Sequence, residues 1–306
     1  MIIPPYLTPG DTIGILCPAG FMPYEKAEAC IETLQQWGFM VKTGFTLGNQ
    51  NHYFSGTDEE RLIDLQQMLD DDSVKAILCA RGGYGTGRII DRINFKKFQK
   101  KPKWIIGFSD ITVLHNHILS NYKIASLHAP MAAAFNEGAE NYWDKNEYVK
   151  SLRKALVGIT AEYHCAAHPF NRNGKVTGRL IGGNLSLLAH LTGSKSDIKT
   201  KNKILFLEDV GEYIYNIDRM MYQLKRNGKL DKLSGLIVGG FTEIKDTSIP
   251  YGQTVEEVIR DVVKEYDYPV CFDFPVSHGK ENYALKIGIK YNLQITDAET
   301  SLTEIG

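Results

Sequence analysis

Strand-like and helix-like patterns alternate through the first half of the chain, and each strand-like run ends in a short loop rich in glycine, serine or proline. "TIGILCP" (12–18) reads as a strand, and 24–37 as an amphipathic helix stopped at Gly38. "MVKTGF" (40–45) is a second strand. "TDEERLIDLQQML" (57–69) opens with a capping box, Thr57 with Glu60, and continues as a helix. "VKAILCA" (74–80) is a strand, and "RGGYGTGRII" (81–90) a loop running into a helix. "WIIGF" (104–108) and "IASLHAP" (124–130) are strands on either side of a helix that begins after Ser109. Strands alternating with helices of this length require a mostly parallel sheet covered on both faces.

That architecture puts the loops "CPAG", "RGGYG" and "FSD" along one edge of the sheet, beyond the carboxyl ends of their strands, where open α/β sheets bind ligands. The pattern loosens between about 135 and 175, where "NEGAENYWDKNEYVK" and "HPFNRNGK" carry polar and turn chemistry. The expected organisation is an N-terminal α/β domain over 1–150, a linker over 151–174 and a strand-richer α/β domain over 175–306. In the latter, "KILFLEDV" (203–210), "LSGLIVGGF" (233–241), "PVCFDFPVSH" (269–278) and "YALKIGIKYNLQI" (283–295) read as strands.

Composition excludes several classes of function. Of 306 residues, 43% are hydrophobic and the formal net charge is −1, with no basic block, so neither nucleic acid nor an anionic membrane is an expected partner. The N-terminal stretch lacks a basic start and breaks its apolar runs with proline and glycine, unlike a signal peptide. Five cysteines at irregular spacing, with no CxxC, imply free thiols in a reducing compartment, the cytoplasm being the simplest. No HExxH or acidic cluster has metal spacing, so neither a metal nor another cofactor is expected. His115-x-His117 and His164-x₃-His168 read as core or surface histidines.

Chemistry concentrates at strand ends. Ser109 stands where a strand turns into a helix, and two readings are open: a helix cap, or a nucleophile aimed along the helix axis. The loop "RGGYGTGR" has no Walker lysine and does not fit G-x-G-x-x-G. Its glycines suit either an oxyanion hole or a plain tight turn. "ILFLEDV" ends in Glu208, a carboxylate that needs a donor if buried, and "FPVSHGK" ends in His278. Ser109, Glu208 and His278 occur in the order Ser, acid, His, one of those that build a triad. Arg81 is a candidate fork for a substrate carboxylate. Tyr84, Asn184 and Tyr283 are candidate pocket residues, with ordinary packing as the alternative for each.

The chain resembles the LD-carboxypeptidases, the serine peptidase group that includes muramoyltetrapeptide carboxypeptidase and the microcin C self-immunity peptidase. The likeness runs nearly end to end, through "GDTIGILCPAG", "FSGTDEERLIDLQQML", "ARGGYGTGRII", "IIGFSDITVL", "HAPM", "GRLIGGNLSLL", "LEDVGEYIYNIDRMMYQL", "GLIVGGF" and "FPVSHG". The resemblance implies an N-terminal parallel sheet of the flavodoxin-like or class I glutamine amidotransferase-like kind, carrying the nucleophile, and a C-terminal domain carrying acid and base. It implies Ser109 as nucleophile, His278 as general base, Glu208 as its orienting acid, and the N–H groups of Gly83 and Asp110 as the oxyanion hole. A cytoplasmic homodimer without a metal, releasing D-alanine from murein tetrapeptide in cell-wall recycling, completes the expectation. "CPAG" stands where many relatives carry "APSS", which removes a hydroxyl from that loop. Two rivals stay open: a microcin-type peptidase acting on acylated nucleotides, and a non-catalytic sugar- or nucleotide-binding module.

Overall fold

The computed structural model describes residues 1–136 and 146–305. The chain divides into two compact units, one of Met1–Ile159 with Tyr283–Lys286, the other of Thr160–Asn282 with the residues from Ile287 onward. About half of the expected linker over 151–174 is instead regular structure. It holds most of helix α6 (Glu147–Leu156), which belongs to the first unit, and strand β6 (Glu162–Ala166), which belongs to the second. Polarity misled there because α6 buries only one stripe, Val149, Leu152, Ala155 and Leu156. The polar stretch 137–145 lies outside the described residues.

The first unit is built on β1 (Thr12–Leu16), β2 (Met40–Thr43), β3 (Val74–Cys79), β4 (Trp104–Ile106), β5 (Ser126–His128) and β11 (Leu285–Ile287), in the order β11-β5-β4-β3-β1-β2. The pairs β1/β2, β1/β3, β3/β4 and β4/β5 are parallel. Ile13, Ile15, Ile77, Ile105 and Leu127 are all fully buried, as strands covered on both faces demand. The connecting helices are α1 (Glu28–Gln36), α2 (Asp58–Asp70), α3 (Thr86–Ile89), α4 (Lys96–Lys100) and α5 (Thr112–Tyr122). The expected capping box closes the start of α2, with the Thr57 and Glu60 side chains each meeting the other's backbone N–H. Because β2 and β3 flank β1, the chain direction reverses there, and the loops leaving β1 and β3 border the crevice of such a switch point.

The second unit carries a mixed sheet of β6, β7 (Gly174–Asn184), β8 (Lys203–Val210), β9 (Gly235–Thr242), β10 (Val270–Phe274), β12 (Lys290–Ile295) and β13 (Glu299–Ile305), in the order β10-β9-β8-β7-β12-β13-β6. The β10-β9-β8-β7 half is parallel and the β7-β12-β13-β6 half antiparallel. Its helices are α7 (Leu185–Leu191), α8 (Ile214–Arg226) and α9 (Val255–Val263). The single strand expected over 283–295 is two, parted at Gly288 (φ 89°): β11 joins the first sheet and β12 the second. Among the described residues, no helix is long and apolar enough to cross a membrane.

Candidate active site

Ser109 sits at the joint of β4 and α5 with φ 62°, a left-handed backbone that few residues other than glycine adopt. One short turn, Ser109–Ile111, leads into α5, and neither it nor α5 takes a cap from a side chain. The hydroxyl is therefore not a helix cap, and the strain at its backbone is of the kind that persists where function requires it. His115, fully buried on α5, braces the joint from below. Its Nε2 lies 2.8 Å from the Gly107 carbonyl and its Nδ1 2.8 Å from Ser126 Oγ. Burial pushes its pKa down to about 4, so the ring is neutral, with Nε2–H donating to Gly107 and Nδ1 accepting from Ser126.

The glycine loop packs directly on the serine. A Cβ at Gly82 would lie 2.9 Å from Ser109 Cβ and 3.3 Å from the Asp110 nitrogen, so only glycine allows this approach. Gly82, which sequence reasoning passed over in favour of its neighbour Gly83, is thus the residue against the nucleophile candidate. Its carbonyl accepts from Gly20 N at 3.0 Å, tying the loop after β3 to the loop after β1. Asp110 is buried, and its Oδ2 accepts from Thr86 N, the first residue of α3, at 2.8 Å. Burial raises its carboxyl above the ordinary carboxylate range, against the bonds from Thr86.

In the second unit, His278 Nδ1 lies 2.5 Å from Glu208 Oε2. Glu208 is fully buried near the end of β8, and the His278 side chain is 14% exposed. Burial alone lowers the pKa of His278, but the Glu208 bond, with the charges of Glu208, Asp209 and Glu243, outweighs it and the net shift is upward. A local irregularity makes the pairing possible. Leu207 faces Val238 and Asp209 faces Phe241, so Glu208 alone opposes Gly239 and Gly240. A Cβ at Gly239 would lie 2.2 Å from the Val276 carbonyl, and one at Gly240 2.7 Å from Ser277 Cβ. The glycine pair lets the histidine loop lie against the sheet edge. Ser277 Oγ then holds that loop, donating to Glu281 O and accepting from Gly279 N, both at 2.9 Å.

The remaining sequence candidates fall into different settings. Asn184 stands opposite Glu208 in the β7/β8 register. It caps α7 by accepting from Leu187 N, and it donates to Asp209 Oδ1 at 2.8 Å. Asp209 also accepts from Ser186 N, and burial pushes its pKa up to about 6. Arg81 is exposed and donates through Nη1 to the Phe21 carbonyl. Tyr84 is half-exposed, with its ring 6.1 Å from that of Phe54. Tyr283 belongs to the first unit, where its hydroxyl donates to Glu147 at 3.0 Å and its ring lies 4.8 Å from Tyr148. His115 and His117 are both buried, and among the described residues no group of three or more His, Cys, Asp or Glu could hold a metal ion.

Two half-constellations result: a strained serine backed by glycines in one unit, and a histidine–carboxylate pair in the other. The comparison with known proteins agrees with that chemistry. The LD-carboxypeptidase N-terminal domain matches residues 13–129 and the LD-carboxypeptidase C-terminal domain residues 177–293. The probable murein peptide carboxypeptidase of Bacillus subtilis is 37% identical over 99% of this chain and 94% of its own length. The microcin C7 self-immunity protein MccF of Escherichia coli is 28% identical over 97% of this chain and 94% of its own. A crystal structure of muramoyltetrapeptide carboxypeptidase from Oxalobacter formigenes superposes with a TM-score of 0.86 at 26% identity, covering 96% of this chain and 99% of that one.

Proposed function

The chain belongs to the LD-carboxypeptidase family and is a serine peptidase, and from that premise we propose that Ser109 is its nucleophile, His278 the general base and Glu208 the acid that orients the base. The observation that carries this reading is the backbone of Ser109, held at φ 62° where no helix uses its hydroxyl as a cap. The Glu208 contact fixes the proton of His278 on Nδ1, which leaves Nε2 as the proton acceptor. His278 takes the proton of Ser109 as its oxygen attacks the scissile carbonyl. The N–H groups of Gly83 and Asp110 meet the developing oxyanion. His278 then protonates the leaving amine, and water, activated by the same ring, resolves the acyl-enzyme.

The proposed substrate is a murein tetrapeptide, cut before its terminal D-alanine, as the names of the Bacillus and Oxalobacter proteins suggest. Arg81 is proposed to meet the terminal carboxylate, with Tyr84, Asn184 and Tyr283 shaping the pocket. Length supports this substrate over a microcin-type one. The alignment with MccF runs over 334 positions against the 306 residues of this chain, so that relative carries additional sequence. The five free thiols suit a cytoplasmic site of action, and the family reading extends to a homodimer, which sedimentation would count.

The assay is release of D-alanine from a defined tetrapeptide, with an acylated aminoacyl nucleotide as the competing substrate. Ser109→Ala is expected to abolish release while barely moving the melting temperature. Full release by Ser109→Ala would end the reading, and a strong preference for the nucleotide would move the chain to the microcin branch.

A further inference from the structure

Arg61, in the motif "GTDEERLIDLQQM", has no part in the chemistry proposed above, yet its side chain is fully buried at 0% exposure. A buried guanidinium is costly unless its donors are met. Its Nη1 donates to the Pro18 carbonyl at 2.7 Å and to the Gly85 carbonyl at 3.1 Å, and its Nη2 to Asp58. The cation also lies over the Phe54 ring, 4.8 Å from its centroid. Pro18 and Gly85 belong to the two loops that leave β1 and β3. One nitrogen of one side chain therefore ties together both walls of the switch-point crevice.

The tie is placed where it matters for the glycine loop. Gly85 has φ 148°, and a Cβ there would lie 2.7 Å from Arg61 Nη1, so glycine is required for the guanidinium to reach the carbonyl. One residue further, Thr86 N is held by Asp110, the neighbour of Ser109. At its other end the loop is held through the Gly82 carbonyl by Gly20 N. Residues 82–86 are thus clamped at both ends, with Gly83 between the clamps and Gly82 pressed on Ser109. The far end of the loop carries charge on both sides, with the buried Arg61 guanidinium and the buried Asp110 carboxylate near enough to favour each other.

We propose that Arg61 is a positioning residue for the oxyanion hole: by holding the Gly85 and Pro18 carbonyls together it aims the Gly83 N–H at the position of the tetrahedral oxygen. The inference rests on the reading of Ser109 and Gly83 given above. It makes Arg61 a determinant of kcat and not of substrate affinity, because an oxyanion donor acts on the transition state alone. A lysine retains the charge but, as a point donor on a flexible stem, cannot reproduce two carbonyl contacts together with the guanidinium's place over the Phe54 ring.

The test is turnover per reactive serine. Active serines are counted by end-point labelling with an organophosphorus fluoridate, located by peptide mass spectrometry, and D-alanine release is divided by that count, so misfolded molecules drop out. Arg61→Met is expected to lower kcat per labelled serine about 10²-fold, the loss typical of an oxyanion donor, with KM within about threefold. Arg61→Lys is expected to recover part of it, ending about tenfold below the parent protein, and it carries the test alone if the methionine variant does not fold. Arg92→Met, which removes an exposed ion pair with Glu59, is expected to change neither constant. Wild-type kcat per labelled serine in the Arg61 variants, whatever their melting temperature, would overturn the inference, as would a rise in KM with kcat intact. Failure of the unaltered protein to label at Ser109 would overturn the underlying reading instead.

Discussion

Ser109 owes its position to the backbone. A left-handed φ, a glycine loop pressed against it and a neutral histidine under Gly107 present the hydroxyl. His278 owes its position to charge. A fully buried carboxylate holds its ring, and a glycine pair opposite Glu208 gives the histidine loop room to reach it. The difference teaches what each half can tolerate. A nucleophile set by backbone strain responds to local conformation and to whatever braces that conformation, whereas a base set by a buried carboxylate is tuned by its charge and titrates during the reaction. Changes to the histidine that braces the first half should show in stability, and changes to the carboxylate of the second in the pH profile of turnover.

The largest expected effect comes from breaking the charge on the second side. Glu208→Gln keeps an acceptor for Nδ1–H but removes the negative charge that raises the pKa of His278. Turnover is expected to fall by up to about 10⁴-fold, the loss seen when a triad acid becomes an amide. The base must be neutral to act, so kcat/KM is lost as pH falls through the pKa of His278, which stands above the ordinary histidine value in the unaltered protein. In the variant this acid limb should move to lower pH. A limb that stays in place would mean that Glu208 does not govern the base.

On the first side the corresponding probe is acid stability. The pKa of His115 is lowered by burial to about 4 in the fold, from an ordinary histidine value of 6.5. The unfolded chain therefore binds the proton more readily, and the stability that depends on neutral His115 is present above 6.5 and lost as pH falls toward 4. The loss amounts to about 3 kcal/mol at about 1.4 kcal/mol per unit. His115→Gln should flatten this part of the stability curve, read by denaturant midpoints across the pH range, while leaving the acid limb of kcat/KM where His278 sets it. A shift of that limb instead would erase the distinction between the halves.

The smallest expected change in stability, at Ser109 itself, sharpens the comparison most cleanly. A non-glycine residue in the left-handed region costs about 1–2 kcal/mol, and glycine gives back about 0.4–1 kcal/mol of that through a freer unfolded chain. Ser109→Gly should thus be inactive and yet more stable than the parent by up to about 1 kcal/mol, a gain visible as a raised melting temperature. A destabilised glycine variant would show that the hydroxyl supports the fold.

The candidate strand ends were legible in the sequence because polar residues there interrupt apolar runs: Ser109 after "WIIGF", Glu208 after "ILFL", His278 after "FPVS". The Thr57–Glu60 box was legible because both partners lie within one turn. What escaped depends on long-range contact. Arg61 reads as one more polar residue of a surface helix until Pro18 and Gly85 are seen to meet it, 43 and 24 residues away. Gly239 and Gly240 look like strand weakness until Val276 and Ser277 approach them. The splitting of 283–295 between two sheets leaves only Gly288 as a local mark, and the polar exposed face of α6 resembles a linker when its buried stripe is not counted.

The central claim, that Ser109 is activated by His278 held on Glu208, is tested most directly by the rate of Ser109 labelling with an organophosphorus fluoridate, followed by mass spectrometry in the parent protein, His278→Ala and Ser109→Ala. The account predicts one adduct per chain, on Ser109, formed rapidly in the parent, slowed by orders of magnitude in His278→Ala and absent in Ser109→Ala. Labelling of Ser109 at the parental rate without His278, or an adduct on a different serine, would contradict it.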